Sequence, residues 1–445
     1  MPKRTEANRK TNIGIARAVP LILLGIIGYA SWVVTKVICV DYLISPIPEL
    51  GFPSRKGGAA AVLATYYLLL IVVLISYGRL LDVVFRHPGL IPHGPQWYVE
   101  AAQRQKVKMA RCKNDHNRRW SDDEKSTETG VSGTRMPVEH RLLADDTLPF
   151  KVEGFWKRDV FVSNADGRPP FCSTCYNWKP DRAHHCSELN RCVLKFDHFC
   201  PWVGGVVSET SFKFFIQFTF YAALYTLHIS VVAAYFFAER RRHERNYLNA
   251  NWIVLLALTG LFLLFSAGMC MSTCQFAITN STTIENLNRK TKIWYLAVYI
   301  PPITLNEASR KGINLNLITY PRPSDEQLQT FPQQTTQELP LQDQTSVAST
   351  EHRTFAILES VPGVNPFDIG PLRNFQEIMG STLWQWLSPV HPSPCLKHND
   401  PVSLYKTGVV LEDMKSRTGL ETWMKRPDRR RKRRRSHSGR ERAID

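Results

Sequence analysis

The chain has 445 residues, a formal net charge of +17, an isoelectric point near 9.5 and a mean hydropathy of −0.22. That length admits two or three domains, and the slightly negative mean excludes a chain apolar throughout, so its long apolar runs leave a strongly polar remainder. The basic balance favours an anionic partner, whether lipid headgroups, a phosphorylated cofactor or nucleic acid, and does not choose among them.

A hydrocarbon core about 30 Å thick needs roughly 20 apolar residues in a helix. Four windows qualify: Ala18 to about Val40, Gly57 to about Tyr77, Phe214 to Phe237 and Trp252 to Cys274. The first follows a basic start and ends without a small-residue cleavage site, which predicts an uncleaved span. Buried helices of a soluble protein are the plainer reading of one such window, but not of four. Lys3, Arg4, Arg9, Lys10 and Arg17 place the N-terminus in the cytosol, and an even number of spans returns the C-terminus there. The long loop from about Arg79 to Lys213 is then cytosolic as well. Arg240, Arg241, Arg242 and Arg245, after the third span, run against this orientation. Asn280-Ser281-Thr282 is a glycosylation sequon that this topology keeps bare.

From about Gln103 to Asp146 the chain is charged and poor in large apolar residues, as a flexible linker is. Next comes a dense set of metal-ligand residue types: Cys172, Cys175, Cys186, Cys192 and Cys200 with His184, His185 and His198. Nothing suggests the extracellular setting a disulfide framework needs. Cys172 and Cys175 have the C-x-x-C spacing that brings two thiolates to one tetrahedral ion, and Cys192 with His185 completes a Cys3His set. His184 serves equally well on spacing. A closed four-ligand shell is structural, and for so polar a segment metal binding supplies folding energy. Reduced, unliganded thiols are the plain alternative.

Past the fourth window, Lys292 to Thr304 holds Trp294, Tyr295 and Tyr299 in an apolar run too short to cross, which predicts a segment lying in the membrane interface. From about Ile318 to Thr354, Gln, Thr, Pro and Ser dominate, a composition that buries too little to order itself. Seven consecutive basic residues, Arg429 to Arg435, suit adhesion to anionic lipid, a nuclear signal or a merely solvated tail.

The segment containing Lys179-Pro180-Asp181-Arg182-Ala183-His184-His185-Cys186 and Asp197-His198-Phe199-Cys200-Pro201-Trp202-Val203 resembles the cysteine-rich domain of DHHC-type protein S-acyltransferases, most closely fungal ones. Thr282-Thr283-Ile284-Glu285 matches the family's TTxE motif, and Asn365-Pro366-Phe367-Asp368-Ile369-Gly370 with Asn374 and Gly380 looks like its C-terminal motif. The implied fold is an α-helical multi-pass membrane protein with four transmembrane helices and a cytosolic zinc-binding cysteine-rich domain between spans two and three. Its expected divisions are the N-terminus with spans one and two over 1–86, a flexible cytosolic linker over 87–169, the cysteine-rich catalytic domain over 170–213 and spans three and four over 214–278. There follow the TTxE motif and interfacial segment over 279–310, a low-complexity linker over 311–360, the C-terminal motif region over 361–392 and a basic cytosolic tail over 393–445.

The resemblance implies palmitoyl transfer from acyl-CoA to cysteines of membrane-proximal substrate proteins, with Cys200 as nucleophile. It implies that His198 is the base, that Asp197 orients His198 and that Thr283 holds Asp197. Lys179, Arg182, Arg191 and Lys195 are candidates to meet the coenzyme A phosphates, and Cys39 and Cys112 are candidate sites of self-acylation. Family members usually carry a second zinc, at positions that read Cys186, Leu189, Phe199 and Val206 here. Three of the four ligands are replaced by apolar residues, so one zinc per chain is expected, with Leu189, Phe199 and Val206 packed near Cys186. Gly204 and Gly205 stand where asparagines are common. Competing readings are a RING-type ubiquitin ligase, which needs eight ligands where this segment supplies about four, and a non-catalytic adaptor of the same fold. Nucleic-acid binding rests on the basic tail alone and is not expected.

Overall fold

The computed structural model describes residues 6–46, 53–120, 154–244, 247–321, 352–398 and 400–420, so the basic run 429–435 lies outside it. Among the described residues four helices are long and apolar enough to cross a membrane: Asn8–Ile44, Lys56–Arg86, Phe212–His243 and Ala250–Ile278. Each contains its expected window and runs beyond it, because helical winding continues into the polar residues flanking the apolar stretch. The first helix changes character on the way: after Trp32 it widens to i→i+5 bonding over Val33–Ile44.

The chain divides into two compact units. The first comprises Met1–Ile91, Ala183–Leu287 and Ile369–Lys397 and holds all four long helices. They meet through Val33, Ile38, Cys39, Tyr66, Tyr225 and Trp252 in one apolar cluster. A polar relay crosses it at Tyr66, with Ser31 Oγ 2.8 Å from the Tyr66 hydroxyl and Tyr66 2.7 Å from the Tyr225 hydroxyl. Such hydrogen bonds are the specific glue between helices where lipid gives no hydrophobic drive. The basic residues after the third span have local partners: Arg240 donates to Glu244 at 2.9 Å and lies over the Tyr247 ring, and Arg241 donates to the Tyr247 carbonyl. Arg240 thus brings its own counter-charge, which weakens its vote in a count of free positive charges; Arg245 is outside the described residues.

The second unit comprises Pro92–Arg182, Asn288–Asp368 and His398–Asp445. At its centre is an antiparallel sheet in which strand Tyr295–Tyr299 lies between Val160–Ser163 and Arg353–Glu359, with Leu317–Tyr320 at the far edge. Ala297 sits opposite both Phe161 and Ile357. Leu296, Val298, Ala356 and Leu358 pack on Leu411 and Met414 of the helix Val409–Arg417. Ala297, Phe161, Ile318 and Phe355 join Tyr320, Phe155 and Trp156 in a separate cluster.

Three expectations change here. The apolar run expected to lie flat in the interface forms a sheet strand, Tyr295–Tyr299, because alternating side chains at β-branched and aromatic positions find partners on both faces. The segment expected as a low-complexity linker contributes Leu317–Tyr320 and Arg353–Glu359 as strands, and its glutamine-rich middle, 322–351, lies outside the described residues. Residues 121–153 of the segment expected as a flexible linker lie outside the described residues, and the part before them contributes a helix, Pro95–Trp120. Proline stands at its first position, and glutamate, alanine, glutamine, lysine and arginine follow, all strong helix formers, so high charge here signals a solvated helix.

Candidate active site and metal centre

The cysteine-rich segment folds as three short hairpins. In the first, Phe171–Cys172 pairs with Asn177–Trp178 around a tight turn in which the Cys175 amide points to Cys172 Sγ at 3.4 Å and Tyr176 takes a φ of 51°. In the second, His185 stands directly across the ladder from Cys192. The ligand atoms of Cys172, Cys175, His185 and Cys192 all lie within 4.8 Å of one another. Three sulfurs and one imidazole nitrogen at that spacing fit a tetrahedral metal ion, with zinc the matching choice. The four-residue set includes His185 and not His184, so the geometry favours the first of the two that spacing left open. Gly94 supports the first turn: its amide donates to the Cys175 carbonyl at 2.8 Å, and a Cβ there would fall 1.6 Å from the Tyr176 carbonyl oxygen.

The positions of a second metal site form an apolar cluster. Cys186, Val193, Phe196 and Val206 are buried together, with Leu189, Phe199, Leu90 and Ile284 packed against them. Burial pushes the Cys186 thiol up to about 12, so it stays neutral, and it donates weakly to Glu188 at 3.6 Å. These are the contacts expected where hydrophobic packing replaces a metal cluster.

The third hairpin pairs His198 with Val207, Phe199 with Val206 and Cys200 with Gly205. Its turn, Pro201–Val203, closes through Gly204 at a φ of 68°. Glycine is required at the next position because a Cβ on Gly205 would meet Val84 Cγ1 at 2.5 Å, so the hairpin lies directly on the second long helix. Tyr77 of that helix donates to the Trp202 carbonyl at 2.7 Å. Cys200 is buried among Leu80, Val83, Val203, Phe212 and Phe215, an apolar setting at the ends of the long helices.

Asp197 is 1% exposed and fully engaged. His198 Nδ1 lies 2.6 Å from its Oδ2, Thr283 Oγ1 donates to the same oxygen at 2.9 Å, and the Thr283 amide donates to Oδ1 at 2.8 Å. Burial disfavours a charged His198, but hydrogen bonds to Asp197 and Cys200 outweigh it and hold the imidazole up at about 9. With Nδ1 committed to Asp197, Nε2 is the nitrogen left for Cys200 (tautomers assigned from the bonding pattern). The Phe215 ring stands edge-on to the imidazole, with centroids 5.5 Å apart.

The Thr282-Thr283-Ile284-Glu285 run is a capping box. The Thr282 hydroxyl accepts from the Glu285 amide at 3.2 Å, and Glu285 Oε2 accepts from the Thr282 amide at 3.0 Å. The helix it opens, Thr283–Leu287, leaves the Thr283 amide without an intrahelical acceptor, and that amide is the one Asp197 receives. Just before it, Asn280 has a φ of 44° and accepts from Lys195 Nζ at 3.2 Å. Asn280 is 4% exposed, so the sequon is a structural turn and its lack of a glycan would say nothing about topology. Sequence reasoning missed this Lys195–Asn280 contact; its only trace was a polar pair flanking two motifs.

The candidate phosphate-binding cations are largely committed elsewhere. Arg182 is buried over the Phe367 and Tyr405 rings at 4.9 and 5.4 Å, Arg191 donates to the Ile91 carbonyl at 2.9 Å, and Lys195 is buried against Asn280. Lys179 alone of the four is neither buried nor so engaged among the contacts described. Cys39 is fully buried and so is no accessible acylation site; the Cys112 side chain is outside the described residues. In the C-terminal motif, Asn374 Nδ2 donates to the Ile278 carbonyl at 2.7 Å, tying the helix Pro371–Met379 to the end of the fourth span, while its Oδ1 accepts from Ile369.

A buried aspartate bonded to a histidine beside a cysteine, on a chain with four membrane-length helices, suits acyl transfer through a thioester at a membrane. Residues 166–290 match the family model described as DHHC palmitoyltransferase. The chain is 42% identical to palmitoyltransferase pfa5 of Aspergillus fumigatus, over 94% of this chain and 93% of that one, and 40% identical to palmitoyltransferase pfa5 of Emericella nidulans, over 94% and 88%. Palmitoyltransferase ZDHHC15 of Rattus norvegicus is 33% identical over 41% of this chain and 49% of its own. The chain belongs to the DHHC palmitoyltransferase family.

Proposed function

We propose that the chain transfers a fatty acyl group, palmitate in the first instance, from acyl-CoA to cysteine thiols of substrate proteins through an acyl-Cys200 intermediate. The observation that carries the reading is the line of contacts from Thr283 through Asp197 to His198, ending beside Cys200. In the first half-reaction His198 Nε2 holds the proton that came from Cys200 while the sulfur attacks the thioester carbonyl, and coenzyme A leaves as its thiol after receiving that proton. In the second, a substrate cysteine loses its proton to His198, attacks the acyl-Cys200 thioester and releases the Cys200 thiol. Asp197 keeps the imidazole in one tautomer and stabilises its charged form. Apolar side chains around Cys200 exclude water, which would otherwise hydrolyse the intermediate.

Cys172, Cys175, His185 and Cys192 would hold one structural zinc, which fixes the first two hairpins and takes no part in the chemistry. The catalytic segment and both termini face the cytosol in this reading, and the substrates are proteins that present cysteines close to that membrane surface. Purified protein given palmitoyl-CoA should acquire a hydroxylamine-labile acyl group; if Cys200→Ser left that labelling unchanged, the nucleophile would be misassigned. An epitope placed after Asp445 should be open to protease in sealed vesicles whose cytosolic face is outward, and protection would overturn the orientation.

A further inference from the structure

We infer that residues 383–390 enter the lipid of the leaflet next to the catalytic hairpin, with Leu383, Trp384, Leu387 and Val390 in contact with acyl chains. These four side chains are prominently exposed, Leu383 and Trp384 at 69% each. No charged residue occurs from Gly380 to Val390. Exposure of apolar side chains alone would fit several partners, but the backbone favours lipid. The short helix Leu383–Leu387 has orphan carbonyls at its end, which a water-facing helix would leave to solvent. Here the third span caps them: Gln217 Nε2 donates toward the carbonyls of Gln385, Trp386 and Ser388 at 3.4, 2.9 and 3.1 Å, and the Tyr221 hydroxyl donates to Leu387 at 2.7 Å.

The other end of the short helix is closed by a capping box between Thr382 and Gln385, and the Trp386 indole donates to the Gly380 carbonyl. Internal satisfaction of backbone groups is the condition for non-spanning chain at membrane depth. Depth follows from the same bonds. Gln217 and Tyr221 lie five and nine residues into the helix that starts at Phe212, about 7 and 13 Å along its axis. Phe220 and Leu224 of that helix are themselves exposed, so the four side chains extend a surface that already faces lipid. Tryptophan is the residue type enriched at this level.

The insertion bears on the active site because the segment is anchored on both sides of it. Ile378 before it and Cys395 after it line a small cavity shared with Asp197, Lys195 and Thr282. The segment 383–390 thus spans between two residues that wall the cavity behind Asp197.

The test uses the full chain in nanodiscs of phosphatidylcholine, with or without bromine on the acyl chains. The emission lost in Trp384→Phe relative to wild type isolates Trp384 among the eleven tryptophans. That difference emission should be largely quenched by brominated lipid and untouched by aqueous iodide. Val390→Trp in the Trp384→Phe background moves the reporter to the far end and should behave alike. Quenching by iodide and not by bromine overturns the proposal. So does a wild-type dimer that Leu383→Glu turns into a monomer, with Trp384 shielded from both quenchers, since the surface would then belong to a second copy. Neither readout depends on acyl transfer.

Discussion

Thr283→Val removes one hydroxyl from the support of Asp197 and leaves the shape of the side chain almost unchanged. The lost bond is the 2.9 Å contact to Asp197 Oδ2, the same oxygen that faces His198 Nδ1. A hydrogen bond to a charged group is worth about 1.5–3 kcal/mol. The Thr283 amide still donates to Oδ1, so the carboxylate stays in place but is free to turn about that contact. If the lost energy is felt wholly as His198 gains its proton, acyl-enzyme formation slows by about ten- to hundredfold. The assay is single-turnover formation of the hydroxylamine-labile species from palmitoyl-CoA, with zinc content measured on the same sample. Thr283→Ser, which restores the hydroxyl, should recover most of the rate. A wild-type rate in Thr283→Val, with zinc content intact, would refute the argument that this hydroxyl sets the aspartate.

The pH dependence of stability should reflect the Asp197–His198 pair. The folded imidazole is held at about 9 against an ordinary 6.5, so the pair's contribution is complete below about pH 6.5 and is lost as pH rises through about 9. The stability difference between wild type and Asp197→Asn should therefore shrink across that window, and a constant difference would count against the pairing. Metal analysis should return one zinc per chain, and Leu189→Cys, Phe199→His and Val206→Cys made together should raise it to two; two equivalents in the wild type would refute the apolar replacement of the second site. Gly94→Ala should loosen the first hairpin, because the new methyl meets the Tyr176 carbonyl. Faster zinc loss to a chelator is the expected readout, and an unchanged rate would mean that the Gly94–Cys175 contact is dispensable.

The membrane helices were legible because a span is a local property: about 20 apolar residues declare it wherever they occur. The Cys3His set was legible from spacing, except for the choice between His184 and His185, which depends on which side of a two-residue-period strand faces Cys192. The second-site cluster was readable from the replacements themselves, since Leu189, Phe199 and Val206 share one chemistry and converge. The central sheet was not legible. Its strands come from three distant parts of the sequence, and the aromatic run Trp294 to Tyr299 has the same composition whether it meets a membrane interface or two neighbouring strands. The charged run after Pro95 was ambiguous in a different way, because composition records solvation and both a helix and a coil can be solvated. The burial of two candidate phosphate-binding cations was hidden for a tertiary reason: Arg182 and Lys195 both take positive φ and turn inward to partners far along the chain.

The capping box after the fourth span has one more consequence. Thr283 stands five residues beyond Ile278, the last residue of that span, and it grips a carboxylate two residues after Lys195, itself bonded to the Asn280 turn. The angular setting of the fourth helix is therefore carried straight to the aspartate. One residue inserted into that helix near its end would advance everything after it by about 1.5 Å and swing it by about 100°, carrying both Thr283 donors away from Asp197. The enzyme is in this sense keyed like a shaft, and whatever twists the fourth helix in the bilayer also turns the key at the imidazole.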